Sequence, residues 1–239
     1  MVASLGPKAV PSTWVDNMTQ GLFARRVLVP IGLVLSLGAG VAAGQQTALT
    51  DAQIKTADLE VPELAKLFGL QPGMTVADVG AGFGAWTMRF AKVVGPTGRV
   101  YSTDIGAPQL AALREAAQHE SLGNITVIEG GTDRSNLPAL CCDAILVRDA
   151  YHHFTQPDAV VRSLAAALKP GGRLAVIDFP PRPKSDVPAG VPANRLGHGV
   201  PPGVVEREAG AVLDLVQTLP NWSPNSQPGS LFLVLFQKR

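Results

Sequence analysis

The 239-residue chain lacks a dominant charge, since 20 lysines and arginines stand against 19 aspartates and glutamates and leave a formal net charge of +1. With no basic footprint, no nucleic-acid partner is expected. Cysteine is scarce as well: there are two, the adjacent Cys141 and Cys142. Two are too few for a disulfide framework or a cysteine metal site, and a bridge between neighbours is strained. They are expected as packed thiols where a strand over Ala144 to Val147 begins, and no metal centre is expected. No repeat of about twenty residues and no long charge run occurs, which sets aside solenoids and charged interaction tails. The only compositionally biased segment is Pro180 to Pro202, rich in proline and glycine. The length suits one large α/β domain.

What is present centres on Thr75-Val-Ala-Asp-Val-Gly-Ala-Gly-Phe-Gly-Ala-Trp86, an apolar strand running through Gly80, Gly82 and Gly84 into a helical pattern. Glycine lets a backbone turn sharply and approach a ligand closely, and the following helix offers unpaired N–H groups. A dinucleotide fingerprint is Gly-x-Gly-x-x-Gly, whereas this loop is Gly-x-Gly-x-Gly, with the carboxylate of Asp78 two residues before it. That acid disfavours a pyrophosphate and suits a cationic, amino-acid-bearing ligand. Asp104 lies one helix, one turn and one strand beyond Gly84, the length that brings an acid to the neighbouring strand end beside the loop. There it can accept ribose hydroxyls, of an NAD ribose as readily as of another nucleoside.

From about Leu64 onward the chain resembles the class I S-adenosylmethionine-dependent methyltransferases. Val76 to Gly84 is similar to the family's first motif, and Asp104 with Ile105 to its ribose-binding acid and neighbour. Thr132-Asp133 falls where the family often contacts adenine, Asp143 to Phe154 resembles the strand and loop facing cofactor and substrate, and Leu168 to Asp178 the helix-to-strand connection that follows. The resemblance implies S-adenosylmethionine as cofactor, with Asp78, Gly80, Ala81, Gly82, Gly84, Asp104, Ile105, Thr132, Asp133 and Arg148 around it. A methyltransferase chiefly aligns its acceptor and, where needed, removes a proton, so His152 and His153, just past the fourth strand, are the candidate catalytic residues, His153 first. One of the two can equally cap the turn or pack. A small-molecule acceptor is expected.

The N-terminus carries Arg25-Arg26, an apolar run from Val27 to Gly40, and Val41-Ala-Ala-Gly44 before polar Gln45-Gln46. That is the order of a secretory signal, with Met18 as a candidate start; a membrane anchor and a buried helix are the competing readings, and signal or anchor alike directs the rest of the chain outward. The expected division is an extension with signal or anchor at 1–44, a linker at 45–58 and a methyltransferase domain at 59–239, periplasmic or secreted.

Alternating patterns predict helices over Leu59 to Phe68, Ala85 to Val94, Pro108 to His119, Asp158 to Leu168 and Val204 to Ala209. Strands are predicted over Thr75 to Val79, Arg99 to Thr103, Ile125 to Glu129, Ala144 to Arg148 and Leu174 to Phe179. Val212 to Thr218 and Ser230 to Gln237 read as a closing antiparallel hairpin, which dehydrogenases lack. The expected fold is a doubly wound, Rossmann-like, mostly parallel seven-stranded α/β sheet. Pro180 to Pro202 is too long for a simple connection and reads as a lid, a substrate wall or a disordered segment. Two other functions compete: an NAD-dependent oxidoreductase, disfavoured by the glycine spacing and the lack of a Tyr-x-x-x-Lys pair, and a non-catalytic S-adenosylmethionine-binding protein.

Overall fold

The computed structural model describes residues 49–182, 184–223 and 231–239. The signal or anchor and the Met18 start lie outside the described residues. Among the described residues no helix is long and apolar enough to cross a membrane.

The strands are β1 (Thr75–Val79), β2 (Arg99–Asp104), β3 (Ile125–Glu129), β4 (Cys142–Arg148), β5 (Leu168–Asp178), β6 (Asp214–Leu219) and β7 (Phe232–Gln237). They form one sheet in the order β3-β2-β1-β4-β5-β7-β6. The first five run parallel, while β7 is antiparallel to both β5 and β6, as the predicted hairpin requires. Strand order reverses between β1 and β4, and it is beyond the carboxyl ends at such a reversal that α/β sheets bind ligands.

Period-two alternation explains why both sheet faces are covered. In β4, Ile145 and Val147 face a core built with Val161 and Leu164 of α4 (Pro157–Ala167) and Val204 and Val205 of α5 (Pro202–Gly210). Ala144 and Leu146 face the other core, with Val61 and Leu64 of α1 (Asp51–Phe68) and Phe90 and Val94 of α2 (Ala85–Val94). Truncating a buried leucine such as Leu64 to alanine costs about 2–5 kcal/mol. The remaining helix, α3 (Ala107–His119), buries Leu110 and Leu113.

Three expectations are corrected. Helix α1 begins at Asp51, so residues 51–58, read as linker, are helical; Thr50 and Gln53 form a reciprocal capping box, and Gly69 closes the helix in the left-handed conformation. Strand β5 starts at Leu168, directly after α4, because Leu168 pairs with Cys142 before a register shift and the main run from Arg173. Cys142 is fully buried at the start of β4, as expected of a packing residue, but its sulfur is bonded to that of Cys141. Adjacent Cα atoms 3.7 Å apart keep both sulfurs within reach of each other.

The segment after β5 is packed. Arg182 and His198 form an antiparallel bridge, and Arg195, in the single turn Ala193–Arg195, is fully buried. Its guanidinium donates to both carboxylate oxygens of Glu208 on α5, at 2.8 and 3.1 Å, and Tyr151 Oη donates to the same carboxylate at 2.9 Å.

Candidate functional site

A cavity of about 660 Å³ opens beyond the carboxyl ends of β1, β2 and β4, within the roughly 300–1,000 Å³ typical of small-molecule sites. Its floor is the glycine turn. Gly80, at φ +72°, would place a Cβ 2.5 Å from the Cβ of Ala150, so the approach of the two loops requires glycine there. At Gly82 a Cβ would meet nothing within 4 Å, because that residue faces the open cavity. Gly80 and Ala81 donate to the carbonyl of Thr103, tying the turn to the end of β2.

Asp104 is held from both sides: Gly82 N–H donates to one oxygen at 2.9 Å and Gly106 N–H to the other at 3.0 Å. An ionised carboxylate has about four acceptor positions, so two backbone donors fix its orientation and leave capacity for a ligand. Ile105, largely exposed, stands beside it on the cavity wall, and Thr132 and Arg134 contribute from the loop after β3.

Asp78 is buried at the end of β1 and also reaches the cavity. Thr87 Oγ1 donates to it at 2.6 Å and lies 2.9 Å from Ser102 Oγ. Burial pushes its carboxyl up to about 6; the Thr87 bond offsets part of this, and the nearby charge of Asp104 adds to it. The side chain thus holds a negative charge reluctantly in the absence of a cation.

Arg148 lies on the wall with its guanidinium already engaged. It donates to Glu60 of α1 at 2.7 and 3.1 Å and stacks 4.0 Å over the ring of Trp86, whose Nε1–H donates to the same Glu60 at 2.9 Å. Glu60 is only 2% exposed, so the pair stands as a bidentate, desolvated bridge between α1, α2 and β4. Sequence reasoning missed Glu60. Its signal was its position in the stripe Ala57, Glu60, Val61, Leu64 and Phe68, an acid at helical spacing among buried apolar residues.

Among the expected site residues, Asp78, Gly80, Ala81, Gly82, Asp104, Ile105, Thr132, Arg148 and His153 line the cavity. Three expected residues do not, His152 among them. Gly84 caps the N-terminus of α2 with Leu113 beneath it, and the carboxylate of Asp133 is taken by its neighbour Arg134, at 2.7 and 2.9 Å. Arg134 also holds the Asp133 carboxyl below its usual range. The segment after β5, read as a lid, a substrate wall or a disordered segment, contributes no described residue to the wall.

The two histidines separate. His153 lines the cavity, whereas His152 is buried behind it. His152 Nδ1 sits 2.9 and 3.1 Å from the two oxygens of Asp178, which also accept the N–H groups of His152 and Phe179. Asp178 closes an apolar strand as Asp104 does, and that shared pattern was its overlooked signal. Burial lowers His153 to about 4, helped by the neighbouring His152 and His198. Next to the pair, Asp149 adopts φ +54°, and its carboxyl is raised by burial and by the charge of Asp178.

Residues 76–172 match a family described as a methyltransferase domain. A ubiquinone/menaquinone biosynthesis C-methyltransferase of Shewanella woodyi is 34% identical over 120 residues, which is 50% of this chain and 47% of that protein. The chain spans about half the length of the curated relatives it matches. Among solved structures, a SAM-dependent methyltransferase from Aquifex aeolicus superimposes with a TM-score of 0.62 at 25% identity, covering 80% of this chain and 94% of that one. The [4+2]-cyclase SpnF reaches the same TM-score at 14% identity, covering 82% and 85%, a likeness of fold alone.

Proposed function

We propose, for a chain that belongs to the class I S-adenosylmethionine-dependent methyltransferases, that it transfers the cofactor's methyl group to a small-molecule acceptor lying against His153. What supports this reading is that one cavity has an end that suits a nucleoside and, apart from it, a wall that can take an acceptor. At the first, Asp104 is oriented by two backbone N–H groups and keeps acceptor capacity for ribose hydroxyls. Asp78, a buried acid that gains from a cation, suits the amino-acid portion. The open face of Gly82 lets backbone come close without a side chain intervening. These residues fit the group.

When bound, the cofactor supplies a methyl already activated by its sulfonium. The protein's work is then to align an acceptor atom and keep water away, and good alignment alone is worth roughly 7–11 kcal/mol of barrier. Ala150, His153, Phe154 and Thr155 also line the cavity and offer a wall on which an acceptor can lie. The ring of Phe154, 5.0 Å from that of Tyr151, makes this wall aromatic and favours an acceptor with an apolar or planar body.

A labelled-methyl screen over small-molecule acceptors tests the proposal. Transfer by the wild type and its loss by at least tenfold in His153→Ala support it; robust transfer that ignores His153→Ala removes that residue from the acceptor site. The signal-like order of residues 25–46 supports export as a further part of the reading. Sequencing the N-terminus of the fractionated protein checks this, with cleavage after Ala43 or Gly44 expected and an intact cytosolic chain contradicting it.

A further inference from the structure

Three of the four histidines of the chain stand together. Ring centroids are 4.0 Å apart for His152 and His153, 4.9 Å for His152 and His198, and 5.8 Å for His153 and His198. One nitrogen from each ring can be chosen so that all lie within 4.8 Å of one another. They come from distant parts of the sequence, the turn after β4 and the packed segment before α5. Backbone bonds fix both: Asp149 N–H donates to Ile177, Arg182 N–H to the carbonyl of His198, and His198 N–H to Ser185 Oγ.

Asp178 makes the cluster more than aromatic packing. A carboxylate accepts only, so the proton of the His152 ring sits on Nδ1 and the lone pair is left on Nε2. That is the arrangement by which a carboxylate fixes the tautomer and direction of a metal-ligating imidazole. The carboxyl of Asp149 lies in a second group with the His152 ring and the carboxyl of Asp178, their ligand atoms within 4.8 Å of one another.

We propose that His152, His153 and His198 form a binding site for one divalent transition-metal ion of the zinc type, with Asp178 as the outer carboxylate that holds His152. Imidazoles suit zinc, copper, iron and nickel rather than magnesium or calcium. Three protein ligands with a further position open are the pattern of a reactive site, whereas structural zinc sites are closed by four. His153 also lines the cavity described above, so an ion held by it would lie beside the wall proposed for the acceptor. Tetrahedral bonds of about 2.0–2.1 Å put two nitrogens on one zinc roughly 3.3 Å apart, closer than the 4.8 Å within which these now lie. Rotation of the solvent-accessible His153 and His198 side chains supplies that closure.

The test uses the full-length, untagged chain, stripped with a chelator and titrated with Zn²⁺ against a chromophoric competitor and with Co²⁺ by visible absorption. One tight ion per chain and cobalt bands of a four- or five-coordinate nitrogen site are expected. His198→Ala and His153→Gln should each weaken Zn²⁺ binding beyond the roughly 10–100-fold that loss of an outer partner costs, and Asp178→Asn within that range. His119→Ala, at the end of α3, should leave it unchanged. If Asp178→Asn fails to fold, the two accessible histidine variants still decide the matter. Absence of saturable binding by the wild type, or equal affinity in His198→Ala and His119→Ala, overturns the site. These readouts need no methyl transfer, so a wrong acceptor cannot be mistaken for a missing metal.

Discussion

Asp78 gives the sharpest test of whether the cleft takes a cationic ligand. Its carboxyl ionises near 6 in the fold against 3.8 for an ordinary aspartate, chiefly because it is buried. A carboxyl that ionises less readily when folded binds its proton more tightly in that state. Its contribution therefore favours folding below about pH 4 and is lost as pH rises through 6, a cost of roughly 3 kcal/mol at neutral pH. A cationic ligand beside the carboxylate reverses this cost by stabilising the ionised form. At pH 5 only about a tenth of the free protein carries the charge, so S-adenosylmethionine should bind about tenfold more weakly there than above pH 7. The cofactor's amine, with an ordinary pKa near ~7.7–8.0, stays protonated between pH 5 and 7 and adds no slope there. Isothermal calorimetry from pH 5 to 7.5 measures the effect, and Asp78→Asn should flatten the profile at the weak, acid-side affinity. An affinity independent of pH in the wild type, or full affinity in Asp78→Asn, would refute the reasoning.

Three further outcomes are expected. Glu60→Gln leaves Arg148 desolvated and without its countercharge, and should cost about 3–5 kcal/mol in urea unfolding with a shift in Trp86 fluorescence; a loss under about 1 kcal/mol would show the bridge to be incidental. Gly80→Ala forces a Cβ against Ala150 in a left-handed backbone, and should destabilise by about 1–3 kcal/mol while abolishing cofactor binding, read by thermal unfolding and calorimetry. Arg195→Ala removes the fully buried anchor of the segment before α5, so limited proteolysis should cut residues 184–200 much faster than in the wild type; an unchanged digestion pattern would mean that the segment is held by something else.

Strands β1, β4 and the main run of β5 were legible because each is a short, largely apolar run buried on both faces and ending at or beside a glycine or an acid, a pattern that the exposed β6 does not share. The start of α1 was not, since Ile54 is the one large apolar residue among its first eight; the Thr50 and Gln53 cap marks it. At the site, Asp104 could be placed by counting one helix and one strand from the glycines. Asp133 could not, because whether a loop acid meets a ligand or the arginine beside it depends on backbone direction, which composition does not encode. The bridge of Glu60, Trp86 and Arg148 joins three elements, and the grouping of His198 with His152 and His153 joins segments 45 residues apart. Both arise from tertiary packing, which left single misplaced polar residues as their only trace in the sequence.

In the proposed complex the glycine turn and Asp104 grip the two parts of one sulfonium nucleoside. Calorimetric titration of the full chain with S-adenosylmethionine, and separately with NAD, tests it most directly. One saturable site for the first and none for the second is predicted; binding of NAD alone, or of neither, would contradict it.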